Sequence, residues 1–266
     1  MDYKKIAEIG NEVGAVLMAD IAHIAGLIAG GVSDNPLHSG FHVMTTTTHK
    51  TLRGPRGGLI ITKGNAGNPL KAPDKTIENL PTLIDREVFP GFQGGPHMNN
   101  IAAKAVAFHE ALQPEFKDYA KQVVKNSQSL ATALMDKGFK LVTNGTDNHL
   151  ILIDMPKSFE IDGREAQNIL DEIGLTANCN AIPNDTLPPF RPSGLRLGTP
   201  AITTRGFKEN EINKIKLSKI NRIISSMERN LEKIKKALEI RQKTHKGPGG
   251  KVPGSMNKKK TGYAKI

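Results

Sequence analysis

The spacing of apolar residues in the first quarter of the chain changes from helical to strand-like. Residues 2–13 carry apolar side chains on one helical face, which predicts a helix. The apolar run 15–19 stops at Asp20 and predicts a buried, parallel strand. Residues 41–46 and 58–62 predict two further strands. This order is typical of an α/β domain whose sheet is mostly parallel.

The pattern changes after residue 63. Residues 64–96 are rich in Gly, Pro and Asn and predict loops, and a long amphipathic helix over 99–138 follows, with Pro114 as the position at which it would break. Beyond it, apolar runs predict strands at 140–143, 149–154 and 195–199 and helices at 162–173 and 210–240. The second half is therefore expected to be a small α+β unit. The expected division is residues 1–120, 121–240 and 241–266.

The charge is concentrated at one end. The chain has a formal net charge of +11, and residues 241–266 hold eight Lys or Arg and no Asp or Glu, which leaves about +3 for the rest. The composition of this tail favours a solvated, disordered segment. Contact of the tail with RNA or another acidic surface is the alternative.

The composition also excludes several classes of protein. With Cys179 as its single cysteine, the chain forms no internal disulfide and no cysteine-based metal cluster, and no metal site is expected. No run approaches the about 18 apolar residues of a membrane helix, and no apolar signal segment follows Met1. We therefore expect a cytoplasmic protein without a membrane anchor.

Ionisable residues lie where the predicted strands end. Asp20, His23 and Lys50 occupy such positions, and ligands of open α/β sheets bind outside the carboxyl ends of strands. A lysine next to an imidazole (His49) and close to arginine is in a setting that favours Schiff-base chemistry. An aspartate at a neighbouring strand end suits the pyridine nitrogen of pyridoxal phosphate. Taken singly, each residue has a more ordinary interpretation, as a cap, a packed imidazole or a solvated amine.

Several segments taken together resemble one family. They are Asp20-Ile-Ala-His-Ile-Ala-Gly, Thr45-Thr-Thr-Thr-His-Lys-Thr-Leu-Arg-Gly-Pro-Arg-Gly-Gly, Phe89-Pro-Gly-Phe-Gln-Gly-Gly-Pro, Gly145-Thr-Asp-Asn-His-Leu, Asn180-Ala-Ile-Pro-Asn-Asp and Ser193-Gly-Leu-Arg-Leu-Gly-Thr-Pro. In order and spacing they resemble the serine hydroxymethyltransferases, and the resemblance extends from residue 2 to about residue 240. It implies the fold-type I architecture of pyridoxal-phosphate-dependent transferases, here part of the large domain with a mostly parallel sheet and a small C-terminal α+β domain.

The resemblance also implies roles around the lysine. Lys50 would form the internal aldimine with pyridoxal 5'-phosphate, Asp20 would pair with the pyridine nitrogen, and His23 would contact the 3-hydroxyl region of the ring. Thr47 and His49, which flank the lysine, would position the substrate.

Further roles fall on other segments. Arg56 would support the site from the same loop as Lys50. Arg196 would bind the amino-acid carboxylate and Asn180 would contact folate. The backbones of Gly94 and Gly95 would reach the cofactor phosphate in a neighbouring subunit.

The implied reaction converts serine and tetrahydrofolate into glycine and 5,10-methylenetetrahydrofolate, in a homodimer or tetramer that shares its sites between subunits. The resemblance also implies that the family's large domain begins before this chain does, in agreement with the open edges of the predicted sheet. We therefore expect weak cofactor binding and little turnover from the chain alone.

Two alternatives remain at this stage. One is another enzyme of the same cofactor fold, such as a threonine aldolase or an aminotransferase, against which the Thr45–Lys50 segment argues. The other is a non-catalytic fragment that binds partners or RNA through its basic tail.

Overall fold

The computed structural model describes residues 1–63, 80–172 and 174–215, together with isolated helical positions between 225 and 239. The described helices are α1 (Tyr3–Glu12), α2 (Ala25–Ala29), α3 (Leu80–Arg86), α4 (Met98–Ala111), α5 (Pro114–Met135), α6 (Met155–Phe159), α7 (Gly163–Glu172), α8 (Pro200–Thr204) and α9 (Glu209–Ile215). The described strands are β1 (Met18–Asp20), β2 (Val43–Thr47), β3 (Gly58–Thr62), β4 (Lys140–Leu141), β5 (Leu150–Asp154), β6 (Asn178–Asn180) and β7 (Gly194–Gly198). A 3-10 turn spans Pro36–Ser39, and a wide helical turn spans Glu87–Phe92.

Among the described residues, β1, β2 and β3 form the first sheet in that order. β1 runs parallel to β2, with Asp20 opposite Thr45, whereas β2 and β3 are antiparallel, with Thr47 opposite Gly58. The prediction of a mostly parallel sheet is therefore wrong for this part of the chain. The connection between β2 and β3 is too short for a crossover helix, and so short a loop joins antiparallel strands.

The first strand also differs from its prediction. Residues 15–17 do not pair as a strand, and β1 begins at Met18, which is 62% exposed. Of its residues only Ala19 is buried. In the described part of the chain β1 pairs on one side, with β2, so it is an edge strand, and its alternating exposure shows that one face is uncovered.

The two long helices confirm the predicted break. α4 ends at Ala111 and α5 begins at Pro114. Proline lacks a backbone N–H and fits the first turn of a helix, where no intrahelical bond would use that donor. The prediction of loops over 64–96 is wrong for its second half, which contains α3 and the turn Glu87–Phe92. Residues 64–79 lie outside the described residues.

Four antiparallel strands of the described chain form the second sheet, in the order β4-β5-β7-β6. The predicted strands and the helix at 162–173 are present with small shifts of their ends, and β6 is an additional strand that the apolar pattern did not indicate. Asp162 accepts a hydrogen bond from the backbone N–H of Glu165 at 2.9 Å and so begins α7. The predicted helix at 210–240 is described from Glu209 to Ile215, and most of its remainder and the tail 241–266 lie outside the described residues.

Helix α5 contacts both halves. Its first turns bury Phe116 in the core of the first sheet, and its last turns bury Ala131 and Leu134 in the core of the second. The expected boundary after residue 120 falls inside this helix, and the division into domains stays a proposal. None of the helices in the described ranges has the length and apolar character that crossing a bilayer requires.

Candidate active site

The parallel strands β1 and β2 end side by side. Asp20 is the last residue of β1 and Thr47 the last of β2, so both residues lie at the carboxyl-terminal end of this parallel strand pair. The Asp20 carboxylate accepts a hydrogen bond from the backbone N–H of Ala22 at 2.9 Å. This bond turns the chain directly after the strand and leads it to His23.

The segment after Thr47 forms a closed loop that carries Lys50. The Thr48 backbone N–H donates to the Gly57 carbonyl at 3.0 Å, and the Gly54 N–H donates to the Thr48 carbonyl at 2.8 Å. The Thr48 hydroxyl, fully buried, donates to the Pro55 carbonyl at 2.6 Å. Because the backbone on both sides of Lys50 is held in this way, its exposed amine projects from a fixed point.

Thr51 attaches this loop to the segment that carries His23. Its buried hydroxyl donates to the His23 carbonyl at 2.9 Å and accepts from the Gly26 N–H at 2.9 Å. A Cβ at Gly26 would lie 2.1 Å from the Thr51 carbonyl oxygen, so this close approach requires glycine. The hydroxyl and the glycine together fix the position of His23 relative to Lys50.

Arg53 attaches the same loop to α5. Its backbone adopts a left-handed conformation with φ of 62°, and its guanidinium carbon lies 4.4 Å from the centroid of the Tyr119 ring. An arginine over an aromatic face at this distance forms a cation–π contact.

The other predicted residues of the loop lie at different depths. His49 is half-buried, and its Nδ1 is 3.3 Å from the backbone N–H of Gly57, which donates to it. Arg56 is exposed. The Thr47 Oγ1 is buried and lacks a hydrogen-bond partner among the described residues.

His23 is the point at which the predicted charged groups meet. Burial is the main cause that lowers the pKa of His23, the positive charges of Lys50 and Arg196 lower it further, and the Asp20 carboxylate opposes them. Lys50 and Arg196, from two distant segments, and Asp20, three residues earlier in the chain, therefore act on a single imidazole. The strand-end pattern predicted Asp20, His23 and Lys50 together, and the family resemblance assigned Arg196 to the same site. In the structure the charge of Arg196, on the second sheet, acts on His23 as well.

His149 is a further member of this cluster, and sequence reasoning missed it. Its ring is stacked on His23, with centroids 5.9 Å apart and an interplanar angle of 23°. The side chain is 3% exposed, and burial, followed by the charges of His23, Arg196 and Lys50, lowers its pKa to about 4. His149 is therefore neutral at physiological pH. The sequence offered one indication of His149, which is its place in the segment Gly145–Leu150, immediately before a strand.

Arg196 is held in the middle of β7. It lies opposite Leu152 of β5 and Asn178 of β6, and it is half-buried. The Asn178 amide, oriented to satisfy its neighbours, accepts from an Arg196 terminal nitrogen at 3.1 Å. Sheet pairing on both sides fixes the backbone from which the guanidinium extends.

Asn180 ends β6 and precedes the loop 181–193, which returns the chain to β7. Asp185 organises this loop by accepting from the Ile182, Leu187 and Ser193 backbone N–H groups and from the Ser193 hydroxyl. These donors together hold the pKa of the Asp185 carboxyl well below its usual range, and the Ser193 hydroxyl contributes most to this lowering. The ordered loop joins β6 to β7, whose pairing places Asn180 opposite Gly194, two residues before Arg196.

Gly94 and Gly95 are not brought to this cluster. They lie in an exposed segment after Phe92, and a Cβ at either would meet no atom within 4 Å. Gly95 has φ of 47°, which glycine adopts readily. Their predicted role toward another subunit stays a prediction.

The chemistry of this donor set fits pyridoxal phosphate. It offers an accessible amine for an aldehyde, a carboxylate for a pyridine nitrogen and a neutral imidazole between them. Two buried polar atoms, Thr47 Oγ1 and His149 Nδ1, have no partner within the described part of the chain and are free to bind a ligand.

The fold and site thus define an α/β protein with a candidate active site centred on a lysine at a sheet edge. The family model of serine hydroxymethyltransferase matches residues 1–218. A curated serine hydroxymethyltransferase from Phenylobacterium zucineum (strain HLK1) is 54% identical over 216 residues, which are 81% of this chain and 47% of that protein. The chain belongs to the serine hydroxymethyltransferase family. It spans about half the length of the curated relative that it matches.

Proposed function

We propose that this chain contributes the lysine and arginine parts of a serine hydroxymethyltransferase site, which binds pyridoxal phosphate and interconverts serine plus tetrahydrofolate with glycine plus 5,10-methylenetetrahydrofolate. The single observation that carries the proposal is that His23, tied to the Lys50 loop by Thr51, stacks on His149 just before β5, which pairs with the strand of Arg196. The charges of Lys50, Arg196 and Asp20 act on the same imidazole. An amine, a carboxylate and a guanidinium are the groups needed to hold the cofactor aldehyde, its ring nitrogen and the substrate carboxylate.

Each residue has a distinct task in this proposal. Lys50 would bind the aldehyde carbon through its Nζ, and the Asp20 carboxylate would accept a hydrogen bond from the protonated ring nitrogen. His23, neutral because burial and nearby positive charge lower its pKa, would contact the ring without adding charge. The bound cofactor supplies the electron sink for cleavage of the serine Cα–Cβ bond.

The substrate would be bound from the second sheet. The planar guanidinium of Arg196 suits a bidentate contact with the serine carboxylate. Its half-buried position between β5 and β6 strengthens that contact relative to one in open water. Asn180 would contact folate, and Thr47 and His49 would position the substrate beside Lys50. Arg56 would support the site from the loop that carries Lys50.

The proposal extends to the assembly. The exposed Gly94 and Gly95 lie in a segment where bare backbone N–H groups would serve the cofactor phosphate of a second copy. We therefore propose a homodimer or tetramer with shared sites, in the cytoplasm.

The test is conversion of labelled serine to glycine, together with titration of serine against the cofactor-loaded chain. We expect the low conversion that the chain alone supports to require tetrahydrofolate and to be lost in Lys50→Ala. Arg196→Lys should weaken serine binding by about 10-fold or more, since a bidentate contact is lost. Arg205→Lys, an exposed arginine beyond α8, is the matched control and should bind serine normally. Serine conversion that survives Lys50→Ala, or serine binding unchanged by Arg196→Lys, would contradict the proposal.

A further inference from the structure

The stacked pair of His23 and His149 joins the two sheets at the candidate active site. His23 follows β1 of the first sheet, and His149 immediately precedes β5 of the second. The rings are nearly parallel at 23° and their centroids lie 5.9 Å apart, within the range of offset aromatic pairs.

His149 is itself fixed by the strand that carries Arg196. Its carbonyl accepts from the backbone N–H of Thr199 at 3.2 Å, directly after β7. The next residue, Leu150, is paired with Gly198. A shift of His149 would therefore shift the end of β7, and with it Arg196.

One further hydrogen bond holds this end of β7 to α5, and a second holds the following helix, α8, to α5. The Thr199 hydroxyl, fully buried, donates to the Val123 carbonyl at 2.9 Å. The fully buried Asn126 side chain donates to the Thr203 hydroxyl at 2.9 Å. The His149 backbone is thus held by β7, whose end is fastened to α5, and its ring is stacked on His23.

We infer that His149 is a positioning residue, whose ring fixes the His23 imidazole against Lys50 and sets the position of Arg196 relative to both. The inference rests on the proposed function for its consequence on serine binding. Its structural part stands on the stacking, on the 3% exposure of His149 and on the unpartnered Nδ1, buried at this point. The groups that face the pair are Lys50, Arg196 and Asp20.

A charged His149 would not perform this role. Protonation would place a third positive charge beside Lys50 and Arg196 in a buried position, which costs free energy. Burial lowers the pKa of His149 to about 4 and so keeps the ring neutral over the range in which the site would work.

The first test is NMR of the full chain labelled at histidine, without cofactor. We expect a nuclear Overhauser effect between the rings of His23 and His149 and a His23 pKa below its ordinary value. In His149→Ala water would reach His23, so its pKa should rise toward the ordinary value. In His149→Phe a flat ring still covers His23, and the lowered pKa should persist. His38→Ala, at an exposed position of the 3-10 turn, is the control and should change neither.

These measurements separate positioning from a general effect on stability. If His149→Ala does not fold, as judged by circular dichroism, His149→Gln replaces it, because the amide lacks an aromatic face. A His23 pKa that is the same in the wild type and in folded His149→Ala or His149→Gln would overturn the inference. So would a folded wild-type chain without contact between the two rings.

The second test connects the pair to the proposed function. With the cofactor bound, His149→Ala should weaken serine binding several-fold, and His149→Phe should restore most of it. Loss of serine binding in both variants would overturn the positioning role. The NMR test needs neither cofactor nor serine, so its result holds even if the proposed function is wrong. Conversely, if the positioning role of His149 is wrong, cofactor binding at Lys50 is still expected.

Discussion

The hydroxyl of Thr51 donates a 2.9 Å hydrogen bond to the carbonyl of His23, 28 residues earlier in the chain. The same oxygen accepts from the N–H of Gly26. One buried side chain therefore fixes the lysine loop to the segment that carries the imidazole, and the relative position of Lys50 and His23 depends on it.

Thr51→Val removes these bonds while keeping the shape of the side chain. The His23 carbonyl and the Gly26 N–H would be left buried without partners, and we expect a loss of about 2 kcal/mol in the free energy of unfolding. Chemical denaturation measures this loss. Thr132→Val is the matched control, because the Thr132 hydroxyl donates within α5 at an exposed position, and it should cost less than about 0.5 kcal/mol. Equal losses in the two variants would contradict the role of Thr51.

Gly26→Ala tests the close approach of the same two segments. The added Cβ would meet the Thr51 backbone carbonyl at 2.1 Å, and backbone cannot rotate away. We expect a destabilisation of about 1–3 kcal/mol, typical of overpacking, measured as a shift of the unfolding midpoint. Gly58→Ala places its Cβ in ordinary contact with Thr46, 3.8 Å from that residue's carbonyl oxygen, and should change stability by less than about 0.5 kcal/mol. A Gly26→Ala variant as stable as Gly58→Ala would show that the segments lie farther apart.

Stability should depend on pH through His149. Its pKa is about 4 in the folded chain and 6.5 in an exposed histidine, so the unfolded chain binds the proton more readily. The stabilisation is therefore fully present above pH 6.5 and is lost progressively as the pH falls toward 4. The loss attributable to His149 should approach about 3 kcal/mol.

The comparison is between the wild type and His149→Phe, which cannot titrate. Denaturation from pH 7 to pH 4 should show a steeper loss of stability in the wild type. His38→Phe, a change at an exposed site, should keep the steep profile. Parallel profiles for the wild type and His149→Phe would mean that His149 titrates normally.

The loop 181–193 should open when Asp185 loses its carboxylate. An asparagine has a single acceptor oxygen, and its amide would face N–H donors that the second carboxylate oxygen now serves. We expect Asp185→Asn to be cleaved by chymotrypsin after Phe190, which is 71% exposed, several-fold faster than the wild type. Asp118→Asn, at an exposed position of α5, is the control. Unchanged cleavage in Asp185→Asn would show that its hydrogen bonds do not hold the loop.

The sequence predicted the lysine side of the site because that side is local. Asp20 and Thr47 are the last residues of two short strands, and parallel strands bring their ends together without further information. The approach of Arg196 and His149 to His23 depends instead on how the two sheets pack, which no local pattern encodes. A single histidine before a strand, such as His149, belongs to no repeating pattern from which its role could be predicted.

The elements that were missed have physical explanations as well. β6 is three residues long and polar, Asn178-Cys179-Asn180, so it exists through pairing with β7 and not through its own propensity. α3 carries Pro81 in its first turn, where proline is tolerated, although the residue favours a loop when it is met in the sequence. The antiparallel turn to β3 follows from the closed loop around Lys50, whose hydrogen bonds are visible only in the structure.

The proposed role of Lys50 is tested most directly by locating the residue to which pyridoxal phosphate attaches. The purified chain is mixed with the cofactor, its visible spectrum is recorded, and borohydride is added before peptide mapping by mass spectrometry. We predict a Schiff-base band and a reduced adduct on Lys50, absent from Lys50→Ala and unaffected by Lys104→Ala, a half-buried lysine whose amine donates to the Gly58 carbonyl. An adduct spread over surface lysines, or one that persists in Lys50→Ala, would contradict this role.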